Sequence, residues 1–163
     1  VSIDSSANLG VFSSFEVSEN NPVYSSIDGV LFNKDKTVLV KYPGQNTRSV
    51  YAIPSGVTSI GTRAFKNNAF LSNIIIPNTV TEIGAAAFAN CHALTGVVIP
   101  DGITTIRTHT FHGCPSLGYV FIPKSVNEID VGNFEAYGRI VIHCIEGSYA
   151  HNYAVENDIE YGF

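Results

Sequence analysis

The chain has 163 residues, 45% of them hydrophobic and 14% charged, which excludes an intrinsically disordered chain and supplies a core without disulfide staples. Nine Lys and Arg against fourteen Asp and Glu leave a formal charge of -5, which argues against a nucleic-acid partner and its need for a basic face. No apolar run approaches the roughly 20 residues needed to cross a bilayer, so the sequence is not read as membrane-spanning.

In chain order, residues 1–14 are rich in serine, and Val1-Ser2-Ile3 reads as a remnant of an earlier coil. The sequence opens on Val1 and contains no Met, which reads as a mature product or a piece of something longer. Gly29-Val30-Leu31-Phe32 and Thr37-Val38-Leu39-Val40 flank the polar Asn33-Lys34-Asp35-Lys36, the pattern of a β-hairpin.

From Val50 onward one pattern governs the chain. Pro54, Pro77, Pro100 and Pro123 fall 23 residues apart. Ile60, Ile83, Ile106 and Ile129 keep that phase, as do Phe65, Phe88, Phe111 and Phe134, and Leu71, Leu94 and Leu117 with Ile140 in the fourth slot. The units beginning at Pro77 and Pro100 are identical at eight of 23 positions, mostly the apolar framework. A fixed period of this length marks a solenoid.

Each unit predicts two short strands and a turn. Tyr51-Ala52-Ile53, Ile74-Ile75-Ile76, Val97-Val98-Ile99 and Val120-Phe121-Ile122 are β-rich and end at proline, which lacks the amide donor that would continue a ladder. A second extended piece follows at Val57–Ile60, Val80–Ile83, Ile103–Ile106 and Val126–Ile129. The stretch around Ala64-Phe65 and Ala87-Phe88 is too short for an α-helix and predicts a tight or 3₁₀ turn that drops the ring inward. Stacked coils would place like residues over like, about 4.8 Å apart, around one continuous core. Beyond the repeats, Ser148 is a candidate N-cap for a short amphipathic helix from Tyr149 to about Glu156, whose Tyr149, Tyr153, Ala150 and Ala154 can cover the last coil.

The segment Ile76 to Leu94, with its Ile-Pro-x-x-Val-Thr-x-Ile-Gly-x-x-Ala-Phe-x-Asn-Cys-x-x-Leu order, resembles the 23-residue leucine-rich repeats of the BspA-like, treponemal-type family. The flanks Asn21–Asn33 and Glu146–Ala154 resemble the hairpin-bearing repeat and closing cap of such proteins. The resemblance implies a mainly β repeat solenoid, a right-handed leucine-rich-repeat coil with short 3₁₀ or helical turns. One domain would span 1–163: an irregular N-terminal repeat with a hairpin insertion (1–49), four repeats (50–142) and a helical cap (143–163). It also implies a non-enzymatic bacterial adhesion module, extracellular or at the cell surface, that meets an extracellular or host protein, a matrix component or a glycan. A structural spacer and a glycan-active enzyme are the alternatives.

No phosphate-binding loop, dinucleotide fingerprint, zinc-protease His pair or nucleophile elbow occurs, so no cofactor and no catalytic residue is assigned. Cys91 and Cys114 occupy one slot in adjacent coils, near His92, His109 and His112 in sequence. Buried free thiols are the expected state there, with a disulfide or a zinc site as alternatives and no metal assigned. The candidate site is instead a surface. Strand alternation turns the column Ala52, Ile75, Val98, Phe121 and Val141 outward, beside a second column of Val50, Asn73, Gly96, Tyr119 and Arg139. Such ladders suit a binding face, and equally a stacked sheet that contacts nothing.

Overall fold

The computed structural model describes residues 11–134 and 139–163. Six strands, β4 (Val50–Ala52), β6 (Asn73–Ile75), β8 (Gly96–Val98), β10 (Tyr119–Phe121), β12 (Val141–His143) and β13 (Glu160–Gly162), form one parallel sheet in that order. On another side of the coils, β5 (Ser59–Ile60), β7 (Glu82–Ile83), β9 (Thr105–Ile106) and β11 (Glu128–Ile129) pair in parallel as β5 with β7 and β9 with β11. The single helix of the described residues, α1 (Tyr149–Glu156), covers the C-terminal end. This is the expected solenoid, built from proline-punctuated ribbons.

The strands of the large sheet start one residue earlier than predicted and stop two before each proline. The next amide still joins the ladder, since Ile53 N donates to Ile75 O at 3.0 Å and Ile99 N to Phe121 O at 3.0 Å. Proline then ends the ladder for want of an N–H. The second ribbon is shorter than its four predicted residues for a related reason. Val57, Val80, Ile103 and Val126 donate back to the carbonyls of Pro54, Pro77, Pro100 and Pro123, closing a turn instead of pairing.

The third side of each coil is not a helix, although Ala85-Ala86-Ala87 invites one. Its amides alternate. Ala87 and Ala89 bond back three residues to Gly84 and Ala86, whereas Ala86, Phe88 and Asn90 donate to Thr108, Thr110 and His112 of the next coil. This zigzag requires left-handed residues at fixed places: Arg63, Ala86 and His109 in one column, Asn67 and Asn90 in another, with Gly132 and Gly113 continuing the respective columns. The prediction of one tight turn becomes, in the structure, consecutive turns that also serve as a coil-to-coil ladder.

Inside, the predicted rings stack. Phe65 and Phe88 are 5.1 Å apart at 21°, Phe88 and Phe111 5.7 Å at 4°, and Phe111 and Phe134 5.8 Å at 15°. The column continues beyond the repeats. Tyr42 lies 5.0 Å from Phe65 in the N-terminal coil, and Tyr153 of α1 meets Phe134 edge-on at 6.1 Å.

The N-terminal end holds the predicted hairpin, β2 (Val30–Asn33) with β3 (Val38–Lys41), its turn tied by Asn33 Oδ1 accepting from the Thr37 and Val38 amides. A further strand, β1 (Tyr24–Ile27), pairs antiparallel with β2 across the left-handed Asp28-Gly29 pair. Through β3, which runs parallel to β5, the hairpin joins the second sheet rather than standing apart from it. Lys41 Nζ clips this strand to the next coil by donating to Arg63 O at 2.8 Å and Lys66 O at 3.3 Å. Burial draws that amine down to about 8.

At the other end Ser148 caps α1 as predicted, its Oγ accepting from His151 N at 3.2 Å. Ala150 and Ala154 are fully buried and Tyr153 packs inward, but Tyr149 faces solvent. An eight-residue helix turns one narrow stripe to the core, and the two alanines with Tyr153 fill it.

Asn68, Cys91 and Cys114 share one slot and one role, that of a buried donor satisfying carbonyls of the preceding coil. Asn68 Nδ2 serves the carbonyls of Pro43, Gly44 and Asn46, while its Oδ1 accepts from Phe70 and Leu71. Cys91 Sγ reaches Phe65 O at 3.2 Å and Cys114 Sγ reaches Phe88 O at 3.1 Å. Asn68→Ala should therefore cost about 3 kcal/mol in urea unfolding, because it strands several buried polar groups. Ala86→Gly, which relieves a left-handed alanine at φ 55, should instead stabilise by about 0.5–1 kcal/mol.

Candidate functional site

Strand register decides what the large sheet displays. Tyr51, Ile74, Val97, Val120 and Ile142 point into the core. Their neighbours form two outward columns. One runs Ala52, Ile75, Val98, Phe121 and His143, and the other Val50, Asn73, Gly96, Tyr119 and Val141. Exposure is 56% for Ile75, 57% for Val98, 44% for Tyr119 and 40% for Phe121, whereas Gly96 is buried and Val141 and His143 are half-buried.

Of the candidate positions, Ala52, Ile75, Val98, Phe121, Asn73 and Tyr119 occupy the expected columns. Val141 does not follow Phe121. It pairs with Tyr119, and His143 takes the place beside Phe121. Arg139 precedes β12 and sits outside the column, where it approaches Glu160 at 3.9 Å. The cause is a spacing of 22 residues from Val120 to Ile142 at the irregular fourth unit, where the expected column assumes 20. Residues 135–138 of that unit, including the Tyr137 that aligns with Cys114, lie outside the described residues.

Two neighbours of Tyr119 shape the face. Gly96 stands opposite it on β8, and a Cβ there would fall 2.2 Å from Tyr119 Cζ and 2.3 Å from one Cε. The ring therefore lies down across β8, its hydroxyl end over the glycine backbone. On the other side His143 approaches the ring edge-on at 6.2 Å. The sequence places Gly96 in this column but gives it no role. Its signal is a lone glycine in a strand position, which marks a close approach.

Among the described residues, neither column carries a charged side chain from Val50 and Ala52 through Val141 and His143. The opposite sheet differs. Just before its strands stand the exposed Thr58, Thr81, Thr104 and Asn127, with Glu82 on β7, Glu128 on β11 and Arg107 paired to Glu82 at 3.1 Å. Both sheets could stack equally well with either chemistry outside, so the uncharged face is not a requirement of the coil.

The thiols offer no open site. Cys91, Cys114 and Cys144 are free and buried. Burial pushes Cys91 far above its ordinary 9.0, with the Cys114 thiol adding to the effect, and raises Cys114 to about 11. His109 and His112 form their own edge-on pair at 5.2 Å on the outer turns. Among the described residues, no group of three or more His, Cys, Asp or Glu is placed to hold a metal ion, and no helix is long and apolar enough to cross a membrane.

The profile of the BspA type leucine rich repeat region matches in six copies across residues 44–152. The chain belongs to this family. Among solved structures, a leucine rich cell surface protein from Faecalibacterium prausnitzii is 30% identical with a TM-score of 0.61, covering 80% of this chain and 42% of that one. A T. pallidum leucine rich repeat protein is 26% identical with a TM-score of 0.57, covering 74% of this chain and 67% of that one. The pneumococcal vaccine antigen PcpA shares the fold at 20% identity and a TM-score of 0.62, covering 91% of this chain and 49% of that one. The BspA-type chain thus spans less than half the length of the pneumococcal and Faecalibacterium proteins. No match is found among curated proteins.

The buried thiols give a test with a defined sign. A thiol raised by folding contributes stability that is complete below its ordinary value near 9.0 and is lost as pH climbs above it. The Cys91 contribution, read as the difference in urea unfolding between wild type and Cys91→Ala, should therefore shrink as pH rises from about 9 to about 10.5. Native protein should also resist a thiol-labelling reagent at pH 8 and react at all three cysteines once unfolded.

Proposed function

We propose that this BspA-type chain is a non-enzymatic recognition module of a bacterial surface or secreted protein, and that it meets its partner through the large parallel sheet. The partner is an extracellular or host macromolecule such as a matrix protein, and the outcome is attachment. One observation carries the reading: an exposed apolar ladder of Ile75, Val98 and Phe121, without charge, on a sheet whose core is complete without it. Contiguous apolar patches of this kind mark interaction sites more often than isolated residues do. The repeat backbone favours such use because its face is rigid before binding, so little ordering entropy is lost on contact.

Family membership supports the surface location through the Faecalibacterium relative, itself a cell surface protein. Fold alone names no ligand, so the experiment must find one. Purified extracellular-matrix proteins are immobilised in turn and the chain is passed over them. A matrix protein bound by wild type should lose at least about tenfold in affinity with the Ile75→Ser, Val98→Ser, Phe121→Ser triple variant. The control variant Thr81→Ser, Thr104→Ser on the opposite sheet should bind as wild type, and both should keep the wild-type unfolding midpoint. Unchanged binding by the triple variant would remove the face from the account.

A further inference from the structure

The column beside the apolar ladder has a different chemistry. Tyr119 lies flat where Gly96 makes room, offering one ring face to solvent and keeping the other against backbone. His143 stands edge-on to it at 6.2 Å, and Asn73 lies one strand beyond Gly96 in the same column. An aromatic platform bearing its own hydroxyl and flanked by an amide and an imidazole, with no charge in its column nearer than Glu160 two strands away, matches one class of ligand in particular. The C–H face of a pyranose ring is apolar and stacks on such a platform, while its rim of hydroxyls needs uncharged donors and acceptors.

Protein partners fit this spot less well. Their recognition centres on anchors that enter pockets, whereas the Tyr119 ring is itself laid down and offers a flat surface. Polyanions are disfavoured too, since no cation stands in either column and the chain carries -5 overall. The glycine matters as much as the tyrosine. Any side chain at that position would lift the ring, so the pair Gly96 and Tyr119 acts as one unit.

We propose that Tyr119 on Gly96, with Asn73 and His143 beside it, forms a subsite for an uncharged pyranose glycan. This rests on the reading of the large sheet as the ligand face, but uses the column that the apolar ladder does not.

The test is saturation-transfer NMR with the whole chain and neutral oligosaccharide probes: chitin and cellulose oligomers and a galactose-terminated milk oligosaccharide, each to about 10 mM. A heparin oligosaccharide serves as the anionic arm. The expected result is transfer to sugar ring protons of at least one neutral probe. Tyr119→Ala and Gly96→Ala should each weaken that probe about tenfold, while Tyr119→Phe, which keeps the ring, stays within about threefold. Loss in Gly96→Ala with Tyr119 still present separates platform geometry from mere presence of the ring, and matched unfolding midpoints exclude misfolding. Binding of none of the neutral probes, binding of the heparin arm alone, or equal binding by Tyr119→Ala would each overturn the glycan subsite. The Ile75, Val98 and Phe121 experiment reads the broader face independently, so its failure is distinguishable from this one.

Discussion

Everything in this molecule depends on each coil using the next as its hydrogen-bonding partner and its wall. No coil holds enough surface to bury its own phenylalanine, and on the third side every other amide finds its partner in the next coil. Phe88 illustrates both needs: its ring lies between Phe65 and Phe111, and its amide donates to Thr110 of the following coil. Stability in such an array comes from nearest-neighbour contacts, so the ends are where the core is open to water. The two ends are closed by different means with the same result. Tyr42 and the hairpin extend the aromatic column on one side, and Tyr153 with two buried alanines of α1 finishes it on the other.

This constraint explains choices that look arbitrary in isolation. Left-handed backbone at Arg63, Ala86 and His109 goes against the preference of these residue types, yet it recurs at the same place in successive coils. The left-handed turn lets alternate amides turn outward to the next coil, and a helix would have consumed them internally. The buried donor slot follows the same logic. Asparagine in one coil and cysteine in the next two deliver a hydrogen to carbonyls that face the core side of the preceding turn. Cysteine is a weak donor but a compact one, which suits coils where fewer carbonyls need a partner.

Most of the architecture was legible because the period repeats the physics along with the residues. Proline stops, inward phenylalanines, the Asn33 to Lys36 turn and the Ser148 cap each follow from a local rule that tertiary context reinforces. What escaped lay where the period is interrupted. Tyr42 stands 23 residues before Phe65, but the hairpin insertion hides it from a search anchored on the prolines. β1 announced itself by Asp28-Gly29 between two β-rich stretches, a two-residue turn signal overshadowed by the larger loop beside it. The shift of Val141 into the Tyr119 column came from the irregular fourth unit, where one residue of slip moves a side chain to the other face and two move it along the same face. Glu160–Gly162 extends the sheet with no proline to mark its end, paired with β12 and packed on the cap through Ile159 and Tyr161.

The face was legible as a surface but not as a device, and the difference is instructive. Alternation predicts which side chains leave the core, because that follows from the backbone. It does not predict what they do to one another across strands. The position of the Tyr119 ring depends on the absence of a side chain at Gly96, a relation between residues 23 apart that appears once the coils are stacked. The core fixes the spacing of the rungs and asks nothing of the outward columns, so those positions are free to differ from coil to coil. Valine, asparagine, glycine and tyrosine in successive places are what such freedom permits. A regular scaffold thereby carries an irregular surface.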